Sequence, residues 1–323
     1  MEDTNVVIDK NVIQHNTPTK VSKITSTLSH LKKYKMLYII AIPGILYFLI
    51  FKYIPLVGSI IAFKDYNIFK GVFDSPWAGL KHFRTLFENP ESMRILKNTL
   101  LLSFYDMLMF PAPLILALLL NELRLVFYKK IVQTVIYMPH FLSWVIISGI
   151  FVGILSPTTG IVNHFIEWLG KEPIYFLGSE NFIRPILIFA QLWQSVGWGT
   201  IIYLAALTAI SPELYEAAKV DGANRWKQTI HVTIPSIMPT FTVLFLLQIG
   251  NFLDFGFERV YVFLNPLNSV NGEVLDTYIF KAGLQQAQYS FTTAIGLLKS
   301  VVGLILLMIA NFLSKRFTGN SLY

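Results

Sequence analysis

The chain has 323 residues, of which 54 % are hydrophobic and 14 % charged, with a mean hydropathy of +0.55 and a formal net charge of +7. So apolar a composition excludes a soluble globular domain of this size, and the absence of cysteine excludes a disulfide framework, a thiolate metal site and a cysteine nucleophile. In a membrane chain the basic excess reflects topogenic loops and anionic lipid, so no nucleic-acid partner is expected.

Residues 1–35 are polar and end in SHLKKYK. A secretory signal would carry its apolar stretch nearer Met1. This segment reads as a cytoplasmic leader whose Lys32, Lys33 and Lys35 meet the membrane surface, with 36–323 forming the transmembrane domain. Six apolar segments follow, at about 36–57, 97–120, 131–155, 183–207, 237–257 and 291–313, each long enough to cross a hydrocarbon core of about 30 Å. Lys52 lies near the far end of the first and can snorkel. FPAP, from Phe110 to Pro113, is expected to kink the second. The expected fold is an all-α membrane protein with six transmembrane helices.

Lysine and arginine placement sets the orientation. The leader, the second connection (Arg124, Lys129, Lys130) and the C-terminal Lys315 and Arg316 fall on one side of a six-span chain. The acid-rich third connection, with Glu167, Glu172 and Glu180, falls on the other. Both termini are therefore expected in the cytoplasm of a multi-pass cell-membrane protein. The long first connection, which also carries basic residues, has less topogenic weight.

Polar residues inside the spans mark a cavity or a helix–helix contact. In span two Asp106 reaches mid-depth. In span three His140 and Ser143 lie three apart, and an intramembrane hydrolase could be imagined on them. No H-E-x-x-H and no G-x-x-x-x-G-K-[ST] accompanies them, so no catalytic residue, no metal site and no ATP site is expected in this chain. In span four Gln191, Gln194, Ser195 and Trp198 share one helical face. In span five Gln248, Asn251, Asp254 and Glu258 recur at helical spacing. Amides and carboxylates beside an indole suit a sugar path, so Gln194, Trp198, Gln248, Asn251 and Asp254 are its candidate residues. Helix–helix hydrogen bonding, including contacts with a second chain, is the alternative. Asp254 and Glu258 would repel a uronate unless Arg259 or another chain compensates, and a neutral or rhamnose-containing oligosaccharide suits this face better.

Between spans four and five lies ELYEAAKVDGANRWKQTIHVTIPSIMP, from Glu213 to Pro239. Ser211 can cap a helix that starts at Pro212, and Gly222 can end it in the left-handed conformation. A second short helix can follow, with Pro235 marking the return to the membrane. Two short helices between spans form either an ordinary amphipathic loop or a docking knob for a soluble partner.

Here Glu216-Ala217-Ala218, Asp221-Gly222-Ala223 and Val232-Thr233-Ile234-Pro235 resemble, at family spacing, the EAA loop of ABC-importer permeases. Thr229 stands where many sugar permeases carry Phe. KYIPLVGSIIAFKDYN, NTLLLSF, LALLLNELR and YMPHFLSW resemble the complex-carbohydrate branch, which includes permeases for pectin-derived oligosaccharides. The resemblance implies a type I importer architecture and a membrane subunit that imports oligosaccharides. It implies that 211–235 is a coupling loop seated on a cytoplasmic ATPase, with Glu216 at the docking contact and Gly222 at the turn. It further implies a second permease subunit of different sequence, two ATPase subunits that bind ATP and Mg, and an extracellular solute-binding protein. The alternatives are the same architecture carrying another solute, or a stand-alone channel or intramembrane hydrolase.

Overall fold

The structure, a computed structural model, describes residues 33–319. Residues 1–32 of the expected leader lie outside the described residues. The chain divides into two units, Met1–Gly58 and Ser59–Tyr323.

The described part of the first unit is helical: α1, Lys35–Phe48, a π-turn over Leu49–Tyr53, and one further turn over Ile54–Gly58. The π-turn ends two residues before Pro55. Proline removes an N–H from the helical ladder, and a widened turn shifts the register so that fewer bonds are lost.

In the second unit a short helix α2, Lys81–Glu88, precedes α3, Pro90–Met109. Asn89 caps α3, its Oδ1 accepting the Glu91 N–H at 2.8 Å, with Pro90 at the first helical position. The FPAP stretch breaks the helix as expected: α3 ends at Met109 and α4 runs Ala112–Glu122. Five helical runs are long and apolar enough to cross a membrane: Lys35–Phe63, Pro90–Glu122, Ile183–Thr208, Arg225–Gly250 and Tyr289–Arg316.

The expected third span, 131–155, is not one helix. It is a bent pair, α5 (Val126–Tyr137) and α6 (Trp144–Leu155), turning through 108°. Pro139 lies in the 3₁₀ turn Met138–Phe141 that ends α5, Leu142 is extended, and Ser143 starts α6 by accepting the Ile146 N–H at 3.4 Å. Neither half alone is long enough to span. Counting the pair as one gives six crossings. A small helix α7, Ile161–Trp168, leads toward α8, Ile183–Thr208. The close approach of α8 to α5 needs Gly197: a Cβ there would stand 1.9 Å from the Ile136 oxygen.

The next elements are α9 (Pro212–Val220), α10 (Arg225–Gln228) and α11 (Ile234–Gly250). A π-turn over Thr229–Thr233 welds α10 to α11, so Arg225–Gly250 is one continuous run. Pro235, expected to mark the return to the membrane, stands in the first turn of α11, two residues after the π-turn. Span five was expected to reach 257, but α11 ends at Gly250. The cause is local: the Asn251 side chain donates to the Leu247 oxygen at 3.0 Å, taking a carbonyl that a further helical turn would use. Asp254 and Glu258 therefore do not continue the helical face of Gln248. Short helical segments follow, among them α12 (Phe257–Tyr261) and α13 (Leu275–Phe280), before the last long helix α14 (Tyr289–Thr318).

Three buried clusters hold the second unit together. One gathers Leu102, Ile147, Phe151, Ile186, Leu187, Phe255 and Val260 at the end of α8 remote from the 211–235 loop. A second joins Leu86, Ile95, Leu275, Tyr278 and Phe291. A third, Ala117, Tyr203, Leu207 and Ile237, packs α4, α8 and α11 at the loop end. Along α8 the first cluster takes residues up to 190 and the third begins at 203. The polar stretch from Gln191 to Trp198 lies between two apolar anchors. The outward faces are apolar as well: on α14, Val301, Leu304, Ile305, Met308, Ile309 and Phe312 are each at least half exposed. That surface matches a lipid or apolar protein environment rather than water.

Candidate functional site: two clefts and the 211–235 loop

The polar stretch of α8 faces two clefts. The near cleft, on the loop side, has a volume of about 370 Å³. Its walls include Asp106, Phe110, Ser195, Trp198, Tyr203 and Asn251. The far cleft, of about 640 Å³, includes Trp144, Gln194, Asp254, Glu258 and Arg259. Asp106, Gln191 and Gln248 line both. All five candidate path residues, Gln194, Trp198, Gln248, Asn251 and Asp254, thus border one cleft or the other, although Asp254 does so from a turn and not from a helix.

The local chemistry differs from residue to residue. Trp198 is 45 % exposed, and one face of its indole is covered by the His140 ring, 4.4 Å away and 6° from parallel. The buried His140 Nδ1 has no hydrogen-bond partner, and its ring is held in the stack with Trp198. Gln194 Nε2 donates to the His140 oxygen at 3.4 Å, pinning the bend between α5 and α6. Ser195 donates back to the Gln191 oxygen at 2.7 Å. His140 and Ser143 do not pair, because Ser143 is occupied as the cap of α6.

The ionisable groups form two linked sets. Asp106 Oδ2 stands 3.5 Å from Arg259 Nη2. The Arg259 guanidinium lies 3.5 Å above the Phe255 ring. Lys299, on α14, makes a close ion pair with Asp276 and a longer one, 3.7 Å, with Asp254. Asp276 also accepts the Gly256 N–H at 3.0 Å. Lys299 and Asp276 escaped the sequence reading. The signal was present: Lys299 is a lone cation inside the apolar run 291–313. Asp276 and the folded segment Phe257–Phe280 carry no comparable periodic signal. Among the described residues, no group of three His, Asp or Glu could hold a metal ion.

The 211–235 loop is built from local caps. Ser211 accepts the Glu213 N–H at 3.3 Å. At the other end of α9 the Ala223 N–H reaches the Ala218 oxygen at 2.8 Å and the Gly222 N–H reaches the Lys219 oxygen at 3.0 Å. This Schellman closure places Gly222 at φ +74°, where a side chain would be strained. Asn224 then caps α10 through the Lys227 N–H at 2.9 Å. Tyr215 to Thr233 (3.0 Å) and Arg225 to Glu122 (2.7 Å) tie the loop to the helical body. Glu216, Ala217, Asp221, Gly222 and Pro235 are exposed, and Ala218 and Ala223 are half-buried. Around them Leu214, Val220 and Trp226 are exposed at 50 %, 89 % and 71 %, an apolar rim on a charged surface.

Residues 109–319 match the family model of the binding-protein-dependent transport system inner membrane component. The chain belongs to this family. It is a multi-pass membrane permease, a transport subunit and not itself an enzyme, which removes the stand-alone channel and hydrolase alternatives. The permease is 48 % identical over 305 residues to the polygalacturonan/rhamnogalacturonan transport system permease protein YteP of Bacillus subtilis (strain 168), covering 94 % of this chain and 95 % of that one. It is 47 % identical over 299 residues to protein LplB of the same organism, covering 92 % and 94 %. Its fold matches a permease chain in the crystal structure of a bacterial ABC transporter that imports the acidic polysaccharide alginate, with a TM-score of 0.84 and 41 % identity over 91 % of this chain and 99 % of that one. The same match holds for that transporter in complex with an alginate pentasaccharide-bound periplasmic protein.

Proposed function

We propose that this permease carries oligosaccharides of the pectin-fragment class into the cell, with the two clefts forming its share of the path. One observation carries the reading: the near and far clefts meet at Asp106, Gln191 and Gln248, in a chain 48 % identical to a polygalacturonan/rhamnogalacturonan permease. Gln194, Gln248 and Asn251 supply amides for sugar hydroxyls, and the exposed face of Trp198 stacks on a pyranose ring. Asp254 borders the far cleft from its turn and adds a carboxylate acceptor for sugar hydroxyls.

The 211–235 loop is the docking element for a separate ATPase that binds ATP and Mg. Its exposed Leu214, Val220 and Trp226 seat in the partner, with Glu216 among them and Gly222 shaping the turn. That placement puts the loop, Lys315 and Arg316 in the cytoplasm, both termini inside, and the far cleft toward the outside. There an extracellular binding protein delivers the sugar. Two ATPase subunits and a second, different permease complete the assembly. The same architecture carrying another solute is the competing reading.

The test is uptake by the intact transporter of a panel of oligosaccharides, comparing Gln194→Ala, Trp198→Ala, Gln248→Ala and Asn251→Ala at matched expression. Reduced uptake of pectin fragments in these variants supports the path. Unchanged rate and selectivity in all four makes both clefts packing surfaces.

A further inference from the structure

Among the described residues lining the two clefts, Arg259 is the only cation. It is 8 % exposed, and its buried Nε has no hydrogen-bond partner. Its carboxylate contact, Asp106, is longer than an ordinary charge-assisted hydrogen bond at 3.5 Å. A guanidinium matched to a carboxylate normally presents two parallel N–H groups to it. Phe255 lies against the group, its ring centroid 3.5 Å from the guanidinium carbon, which restrains its rotation. Arg259 is thus an oriented cation with an undersized internal partner.

The acidic residues nearby are engaged or exposed. Lys299 makes a close ion pair with Asp276 and faces Asp254 at 3.7 Å, so Lys299 is committed and offsets part of their joint charge, and the exposed Asp254 is screened by solvent. Glu258 is exposed and has no ion pair among the described residues, and solvent screens it. The electrostatic preference for a neutral sugar, which the sequence alone supports, holds unless Arg259 or another chain compensates Asp254 and Glu258. In the structure Lys299 offsets part of the Asp254 charge, and Arg259 faces the same cleft.

We propose that Arg259 is the residue that recognises a sugar carboxylate in the far cleft, and that Asp106 holds its place while the cleft is empty. An arriving uronate takes the guanidinium, and Asp106, released, accepts hydrogen bonds from hydroxyl groups of the same sugar. The pair then sets charge selectivity where the two clefts meet. The proposal rests on the reading of the clefts as an oligosaccharide path.

The experiment uses the complete transporter in nanodiscs, without the binding protein, so that only the membrane site selects. The probes are trigalacturonate and its carboxyl-reduced, neutral counterpart. Arg259→Gln is expected to weaken trigalacturonate binding about tenfold while changing the neutral probe less than about twofold. Arg259→Lys keeps the charge and is expected to retain part of the preference. Asp106→Asn is expected to raise the preference for the uronate. Equal losses for both probes in Arg259→Gln and Arg259→Lys would make the pair structural and overturn the proposal. Wild-type transporter that binds the neutral probe and rejects the uronate overturns it alone, whereas binding of neither probe overturns the oligosaccharide reading and this proposal together.

Discussion

The indole of Trp198 lies flat against the imidazole of His140, with ring centroids 4.4 Å apart. Phe141 meets the same indole edge-on at 6.1 Å. The bend between α5 and α6 therefore clamps the one large aromatic side chain on the polar face of α8. His140→Phe should preserve the stack, and His140→Ala should lose about 0.5–1.5 kcal/mol of stability. Thermal unfolding of the purified transporter measures both. Uptake should fall in His140→Ala and stay near wild type in His140→Phe, and equal uptake in the two variants would separate the clamp from transport.

Gly222 gives a discriminating pair of variants at the 211–235 loop. At φ +74° asparagine is tolerated, whereas a β-branched residue is strained by about 1–2 kcal/mol. Gly222→Asn is expected to keep substrate-stimulated ATP turnover, and Gly222→Val and Glu216→Lys to lose it with membrane insertion intact. Normal turnover in assembled Glu216→Lys and Gly222→Val transporters would remove the loop from coupling.

Topology is directly testable because the chain has no cysteine. Single cysteines at Thr17 and Asn320 are expected to resist a membrane-impermeant maleimide in intact cells, and one at Lys171 to react. The opposite pattern inverts the orientation.

At Gly197 even one methyl group collides with the Ile136 oxygen. Gly197→Ala is expected to force α5 and α8 apart and to destabilise the permease by about 1–3 kcal/mol. An unchanged unfolding midpoint would mean that this contact yields freely.

Lys299 and Asp276 are both shielded, with side-chain exposures of 13 % and 11 %. Removing Lys299 strands the shielded Asp276 at a cost of about 3–5 kcal/mol, and removing Asp276 leaves Lys299 only its longer contact with Asp254. Lys299→Met and Asp276→Leu should each destabilise strongly, and the double variant should recover much of the loss. Additive losses in that double-mutant cycle would show that the two charges are not coupled.

What the sequence disclosed follows from the range of each signal. Long apolar runs, the proline break at Phe110–Pro113 and the caps of α9 depend on neighbours a few residues apart, and they were legible. Two extrapolations of helical periodicity failed. Residues 131–155 are apolar enough to read as one helix, but Pro139 and the Ser143 cap split them. Helical spacing carried the span-five stripe past Gly250, where Asn251 turns its amide onto Leu247 and stops the helix. Asp254 and Glu258 reach the far cleft by a different route. The counter-ions were the least legible, because Asp106 meets Arg259 and Asp276 meets Lys299 only through tertiary packing.

The unbroken run from Arg225 to Gly250 has a mechanical consequence. Trp226, on the exposed loop, and Gln248, at the junction of the clefts, stand on a single rod, separated by about 33 Å at about 1.5 Å per residue. The rod's give lies at Pro239, which sits inside α11 and removes a ladder hydrogen bond, and at the widened turn Thr229–Thr233. That turn sits next to the fulcrum, where Tyr215 braces Thr233. The rod resists compression but bends at these two places, so a push on the loop arrives at the amide of Gln248 as a swing rather than a stretch.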